Sequence, residues 1–151
     1  MQKLDVGVLK NLQIIKNDRF DIERLNKYAR YRNSELYGYI EDDVVKSFAV
    51  IRMNYLGLDE CYIQLIMSAE KGYGALLLRE IVKHFHKVVL LCDPHCGESL
   101  RQYYINQKMK EMCIRLIPNK RNLSYFYTGG INKNELFNGI KKCHGVPIER
   151  I

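Results

Sequence analysis

Residues 68–93, SAEKGYGALLLREIVKHFHKVVLLCD, change their hydrophobic period at a pair of glycines. Just upstream, ECYIQLIM (60–67) is a short apolar run suited to a strand. After Gly74, the residues Ala75, Leu76, Leu78, Ile81, Val82 and Phe85 recur on one face at helical spacing. KVVLLCD (87–93), closed by Pro94, then reads as a buried strand. Gly72 and Gly74 therefore stand where a strand hands over to a helix. The first turn of a helix leaves its N–H groups without internal acceptors. Together with the positive end of the helix dipole they form a site for an anion such as a pyrophosphate, and glycine lets the backbone approach it with no Cβ in between. A lone G-x-G also fits an ordinary turn. The stretch carries neither the G-x-x-x-x-G-K-[ST] of a P-loop nor a complete G-x-G-x-x-G, because Leu77 occupies the third glycine position.

Working outward, LKNLQIIK (9–16) is a candidate strand and DIERLNKYARYR (21–32) a candidate helix, with Ile22, Leu25, Tyr28 and Ala29 in phase and Asp21 as its cap. ELYGYI (35–40), VVKSFAVIRMNY (44–55) and the run at 60–67 are joined by short turn-like links, so they are expected to be antiparallel neighbours. GESLRQYYINQKMK (97–110) is a further helix with Leu100, Tyr103, Tyr104 and Gln107 facing inward. Strands at 111–117 and 123–128 and a short helix at 132–142 complete the order. No repeat, low-complexity tract or linker appears, and residues 1–151 are expected to form one domain.

Composition narrows the class. With 47% hydrophobic and 27% charged residues the chain is ordinary for a globular protein. No apolar run reaches the ~18 residues of a membrane span, and the N-terminal residues lack the apolar core of a signal peptide, so a cytoplasmic protein without membrane attachment is expected. Five cysteines without tight spacing read as reduced thiols. Residues 1–100 hold 14 Lys and Arg against 14 Asp and Glu, whereas residues 101–151 hold 10 against 3, so the formal charge of +7 resides in the last third. That asymmetry suits an anionic partner, RNA or DNA, at this end, and it equally suits a solvated basic surface.

The order of elements, with AEKGYGALLL at the strand-to-helix junction and SLRQYYINQKM as a later helix, resembles the GNAT superfamily of acetyl-CoA-dependent N-acyltransferases, whose signature at this junction is Q/R-x-x-G-x-G/A. The resemblance spans about residues 35–128. It implies a mixed, mostly antiparallel central sheet with flanking helices (α/β, or α+β), in which the strand at 60–67 splays from that at 87–93 to admit a cofactor arm. It further implies acetyl-CoA as cosubstrate and a primary amine as acceptor, whose identity the sequence leaves open. The N–H groups of Lys71, Gly72, Tyr73, Gly74 and Ala75 would hold the pyrophosphate, with Lys71 adding charge, and Ile66, Met67 and Ser68 would meet the pantetheine arm. Ala69 departs from the pattern, standing where the family usually has Gln or Arg, which removes a side-chain contact and leaves the backbone cradle. Tyr104 matches the tyrosine of the family's later helix and would protonate the departing thiolate; Tyr103 is its neighbour about 100° around the helix, and both also fit a packing role. Glu60 opens the strand at which several family members carry a carboxylate acting through water, and would be the general base; it equally fits a solvated hairpin residue. Gln64 lies on the pleat opposite Ile63 and Leu65.

Two further readings are weighed beside this one. HFHKVVLLCDPHC gathers His84, His86, Cys92, His95 and Cys96 within thirteen residues, and Cys92 and Cys96 have zinc-ligand spacing. His84 and His86 are too close together to converge, so no metal is expected. The alternative function is a non-catalytic GNAT-like module that binds nucleic acid or protein through the basic last third, with KRNLSYFYTGG interleaving basic and aromatic residues.

Overall fold

Asp42 and Asp43 both adopt positive φ, 53° and 61°, and so form the two-residue turn whose twist matches paired antiparallel strands. They join β3 (Ser34–Glu41) to β4 (Val44–Met53), the longest hairpin among the described residues. The protein is described from a computed structural model covering residues 1–4, 13–14, 27, 30, 33–92 and 97–151. Its backbone falls into two units interleaved in sequence, Met1–Met53 with Ile63–His84, and Asn54–Tyr62 with Phe85–Ile151.

In the first unit β1 (Gln2–Leu4) pairs antiparallel with β3, β2 (Gln13–Ile14) runs parallel to β4, and β4 is followed in sheet order by β5 (Cys61–Ser68). Leu4, Leu36, Val45, Phe48, Val50 and Leu65 form its sheet core. Helix α1 (Tyr73–Phe85) buries Leu77, Leu78 and Ile81 almost completely, whereas Leu76 is 38% exposed. The buried face is thus rotated one position from the expected one, with Leu77 inward and Leu76 outward. Burying each such leucine or isoleucine contributes about 1.5–3 kcal/mol. The helix stops at Phe85 because His86 turns to φ 65°.

The second unit is an antiparallel sheet in the order β6 (Val88–Cys92), β8 (Arg121–Tyr127), β7 (Lys110–Leu116), β9 (Ile148–Arg150). Helices α2 (Gly97–Asn106) and α3 (Lys133–His144) accompany it. Leu56, Tyr62, Val89, Ile114, Tyr125, Tyr127, Leu136 and Ile140 share one core. Helix α2 ends four residues before the expected position. Lys108 takes φ 64° and the N–H of Met109 returns to the Tyr104 carbonyl at 3.3 Å, which frees Lys110 to begin β7. Helix α3 is capped at both ends: Asn132 accepts the N–H groups of Asn134 and Glu135, and Gly145 at φ 64° donates to Lys141 O.

The class is the expected one, α/β with mostly antiparallel pairing and flanking helices. The helix expected over 21–32, apart from Lys27 and Arg30, lies outside the described residues, as do most of the strand expected at 9–16 and the residues Asp93, Pro94, His95 and Cys96. Among the described residues no helix is long and apolar enough to cross a membrane.

Candidate functional site

The loop between β5 and α1 belongs to the first unit, and its backbone is set by β4. The Ala69 N–H donates to Lys46 O at 2.9 Å, and Ser47, fully buried, donates its hydroxyl to Tyr73 O at 3.0 Å. Within the loop the Ser68 hydroxyl donates to Glu70 O, and the Tyr73 N–H reaches the same carbonyl at 3.4 Å. Gly72 has φ 95°, and its carbonyl accepts the N–H of Leu76 at 3.1 Å, which makes it the residue from which α1 departs. A Cβ at Gly72 would meet nothing within 4 Å, so glycine is required there by the backbone angle and not by space. At Gly74 the constraint is the reverse: φ is ordinary, and a Cβ would lie 3.4 Å from the Ser68 Cβ. The first-turn N–H groups, including those of Gly74 and Ala75, have no acceptor earlier in the helix. Space beside Gly72 is open to at least 4 Å from where a Cβ would stand. A pyrophosphate is the kind of group such a set of donors fits.

Side chains of β3 and β4 pair with those of the loop. Lys46 Nζ donates to Glu70 Oε1 at 2.9 Å and lies 5.6 Å from the centre of the Tyr73 ring. The Tyr73 hydroxyl donates to Glu41 Oε2 at 2.7 Å, and its ring packs at 5.6 Å from that of Tyr39. The hydrogen bond to Glu70 holds the Lys46 ammonium above its usual pKa, and the bond to Glu41 does the same for the Tyr73 phenol. Lys71 is exposed, Ile66, Met67 and Ser68 are partly exposed at the end of β5, and Ala69 is buried. All the residues expected to hold the cofactor, Ile66, Met67, Ser68, Lys71, Gly72, Tyr73, Gly74 and Ala75, therefore lie in one continuous stretch of this unit. Two residues upstream of Ile66, the amide oxygen of Gln64 is buried and accepts no hydrogen bond from a described residue. Sequence reasoning did not find Lys46, Ser47 or Glu41; the available signal was a lysine and a serine inside the otherwise apolar strand VVKSFAVI.

The second unit holds the two residues expected to move protons. Glu60 precedes β5 and is fully buried, not the solvated hairpin residue that its position also allowed. Its carboxylate accepts the N–H groups of Leu56 (2.8 Å) and Leu58 (3.2 Å), while its carbonyl accepts that of Asn54. Burial raises the carboxyl pKa, and the backbone N–H groups pull in the opposite direction. The 54–59 loop so organised forms one wall of an open cleft of about 880 Å³, and Glu135, Asn138, Gly139, Lys141 and Lys142 of α3 form the other. Tyr104, on α2, is 6% exposed; its ring packs against Phe126 at 5.2 Å and edge-on to Tyr103 at 5.4 Å. Tyr103 is the less buried of the two. Beside them Arg101 grips Glu111 through two bonds of 2.7 Å and reaches Glu98 at 3.0 Å, holding the Glu111 carboxyl below the usual range.

The aromatic run Tyr125, Phe126, Tyr127 is buried throughout, at 2% exposure or less, and so offers no face for stacking bases. Of the His/Cys cluster, Cys92 is buried in β6, and His86 lends its carbonyl to the Thr128 hydroxyl at 2.8 Å. Among the described residues no three His, Cys, Asp or Glu side chains group as metal ligands.

No protein-family model matches the chain, and no curated protein matches it in sequence. Solved structures do match its fold. The ribosomal-protein-S18-alanine N-acetyltransferase of Escherichia coli superposes with a TM-score of 0.60 at 11% identity, over 84% of this chain and 90% of that one. A GNAT family acetyltransferase from Elizabethkingia anophelis, solved with acetyl-CoA bound, gives 0.55 at 18% identity, over 84% and 95%. The spermidine/spermine N-acetyltransferase of Vibrio cholerae gives 0.54 at 13% identity, over 83% and 89%. At these identities the likeness is one of fold.

Proposed function

We propose that this chain, which has the fold of the GNAT acetyltransferases, is an acetyl-CoA-dependent N-acetyltransferase acting on a primary amine. The observation that carries the reading is the junction at Gly72. A strand ends, the chain turns through φ 95°, and a helix begins with its first-turn N–H groups beside two small residues. Acetyl-CoA, when bound, supplies the thioester whose acyl carbon the amine attacks, leaving an amide and free CoA.

In this reading the N–H groups of residues 71–75 bind the pyrophosphate, and the positive end of α1 adds to their field. The end of β5, Ile66 to Ser68, orients the pantetheine arm through its backbone. The amine nitrogen must lose a proton and the departing sulfur must gain one. Glu60, which is fully buried, takes the first through a water, and burial raises its carboxyl above the ordinary value. Tyr104 gives the second from its hydroxyl.

Calorimetry with CoA, followed by release of free thiol from acetyl-CoA in the presence of primary amines, tests the proposal. Saturable heat and amine-dependent thiol release are expected. No heat and no thermal shift at millimolar CoA would overturn it in favour of the non-catalytic module acting through the basic last third. The buried aromatics of β8 speak against a base-stacking version of that module.

A further inference from the structure

We infer that Lys46, on β4, is a positioning residue for the cofactor loop: its ammonium neutralises Glu70 in the loop and so keeps that loop attractive to an entering pyrophosphate. The inference rests on the acetyltransferase reading above and names a residue that the Q/R-x-x-G-x-G/A pattern does not contain.

Among the described residues, the charged groups on the loop or bonded to it are Glu41 and Glu70, negative, and Lys46 and Lys71, positive. Without Lys46 the balance becomes one negative charge, at a place where a multiply charged anion has to enter. Glu70 is the adverse group, because it sits two residues before Gly72 and its side chain is 46% exposed. Lys46 is unusual for a lysine in being only 17% exposed. Its position is fixed three times over. Its carbonyl receives the Ala69 N–H at 2.9 Å, its Nζ holds Glu70 at 2.9 Å, and the Tyr73 ring lies 5.6 Å beneath that nitrogen. Ala69 is buried and carries no polar side chain, so the charge that pairs with Glu70 comes from the neighbouring strand.

The role is one of positioning charge, and it differs from that of a strap that merely ties the loop to β4. A strap is lost in Lys46→Met and stays lost when Glu70 is also changed. A neutralising charge is no longer needed once Glu70 has become Gln. CoA affinity measured by calorimetry on the ligand-free protein separates the two. Lys46→Met is expected to weaken CoA about tenfold, the size of one uncompensated charge a few ångströms away in a partly exposed setting. Lys46→Arg should bind as wild type. Glu70→Gln should bind as tightly or more so, and Lys46→Met with Glu70→Gln should return to within about threefold of wild type, with the single-variant defect shrinking as salt is raised. Wild-type affinity in Lys46→Met overturns the inference, and so does a double variant as weak as Lys46→Met alone. A wild-type protein that does not bind CoA at all instead removes the acetyltransferase reading on which the inference stands.

Discussion

The carboxylate of Glu60 accepts the N–H of Leu56 at 2.8 Å from a side chain with no solvent exposure. One buried acid thus shapes the 54–59 loop, since Leu58 donates to the same oxygen and the Asn54 side chain receives Asp59 from the other side. Gly139 of α3 closes on this loop so tightly that a Cβ there would come within 2.7 Å of the Leu56 carbonyl. Glu60→Ala should therefore destabilise the fold by about 1–3 kcal/mol, the cost of leaving buried donors without an acceptor. Glu60→Gln should cost less, and its cost should depend on pH. Burial raises the Glu60 carboxyl pKa in the folded state above the ordinary 4.5. The proton is held longer folded than unfolded, so the acid's contribution is fully present below about 4.5 and is lost as pH rises through the folded value. Urea denaturation of the two variants at pH 4 and pH 8 checks this: a penalty for Gln that grows toward pH 8 would show that the ionised form is the better-held one. A turnover defect in either variant counts toward the general-base role only after this structural cost is measured.

Substitutions at the two glycines of the cradle should fail for different reasons. At Gly72 any side chain must adopt φ 95°, so Gly72→Ala should already lower the melting temperature, and Gly72→Val should also lose CoA binding. At Gly74 the backbone tolerates Ala, whose Cβ just touches Ser68, whereas the branches of Val intrude on the turn. Gly74→Ala is thus expected to melt like wild type, and Gly74→Val to lose CoA while remaining folded. Melting curves and CoA titrations of all four variants read the pattern directly. Retention of CoA affinity by both valine variants would remove the cradle from the cofactor site.

The junction was legible because two independent signals coincide there, a change of period and a G-x-G, and each has a local cause. The β3–β4 hairpin is legible for another reason, the short polar link Glu41-Asp42-Asp43 between two strand-like runs. Periodicity places the inner face of α1 one residue out of phase because Leu76, Leu77 and Leu78 are equally apolar, and only packing decides that Leu76 faces outward. The sequence predicts α2 four residues too long because nothing in INQKMK forbids helix, whereas the turn at Lys108 goes with the strand that follows. The three-residue strands β1 and β9 carry too little pattern to be seen without their partners. Within the site, backbone donors were legible from glycine positions, but the contacts of Lys46, Ser47 and Glu41 come from other strands and no spacing rule encodes them. The burial of Glu60 belongs to the same group, since a glutamate at a hairpin reads as solvated until the N–H groups pointing at it are known.

His144 gives the fold a dependence on acid. Its Nε2 lies 2.9 Å from the Tyr125 hydroxyl, and burial, with Arg121 contributing, holds the imidazole below its ordinary 6.5 while burial also pushes the Tyr125 phenol up. The bond therefore joins the tyrosine hydroxyl to a ring that is neutral near pH 7. Because the folded pKa is depressed, the folded state binds fewer protons than the unfolded one. This contribution to stability is present above about 6.5 and is lost as pH falls through the folded value. Wild-type protein should melt progressively lower as pH is taken from 7.5 to 5, and His144→Gln should show a shallower decline. Parallel declines in the two proteins would place the acid sensitivity elsewhere.

Tyr104 and Tyr103 permit a test of chemistry with an internal control. Their rings meet edge-on at 5.4 Å, but only Tyr104 is buried, against Phe126 at 5.2 Å. If the Tyr104 hydroxyl protonates the departing thiolate, Tyr104→Phe keeps the ring packing and removes the hydroxyl. Turnover should then fall by about 10² to 10⁴ while CoA affinity holds, the signature of an interaction made in the transition state. The melting temperature should stay near that of wild type, since Phe preserves the contact with Phe126. Tyr103→Phe should change turnover little. Thiol release with an amine that the wild type accepts measures both. Equal rates in wild type and Tyr104→Phe would take Tyr104 out of the mechanism and leave it as a core residue beneath α2, and a selective loss in Tyr103→Phe would move the acid to the more exposed ring.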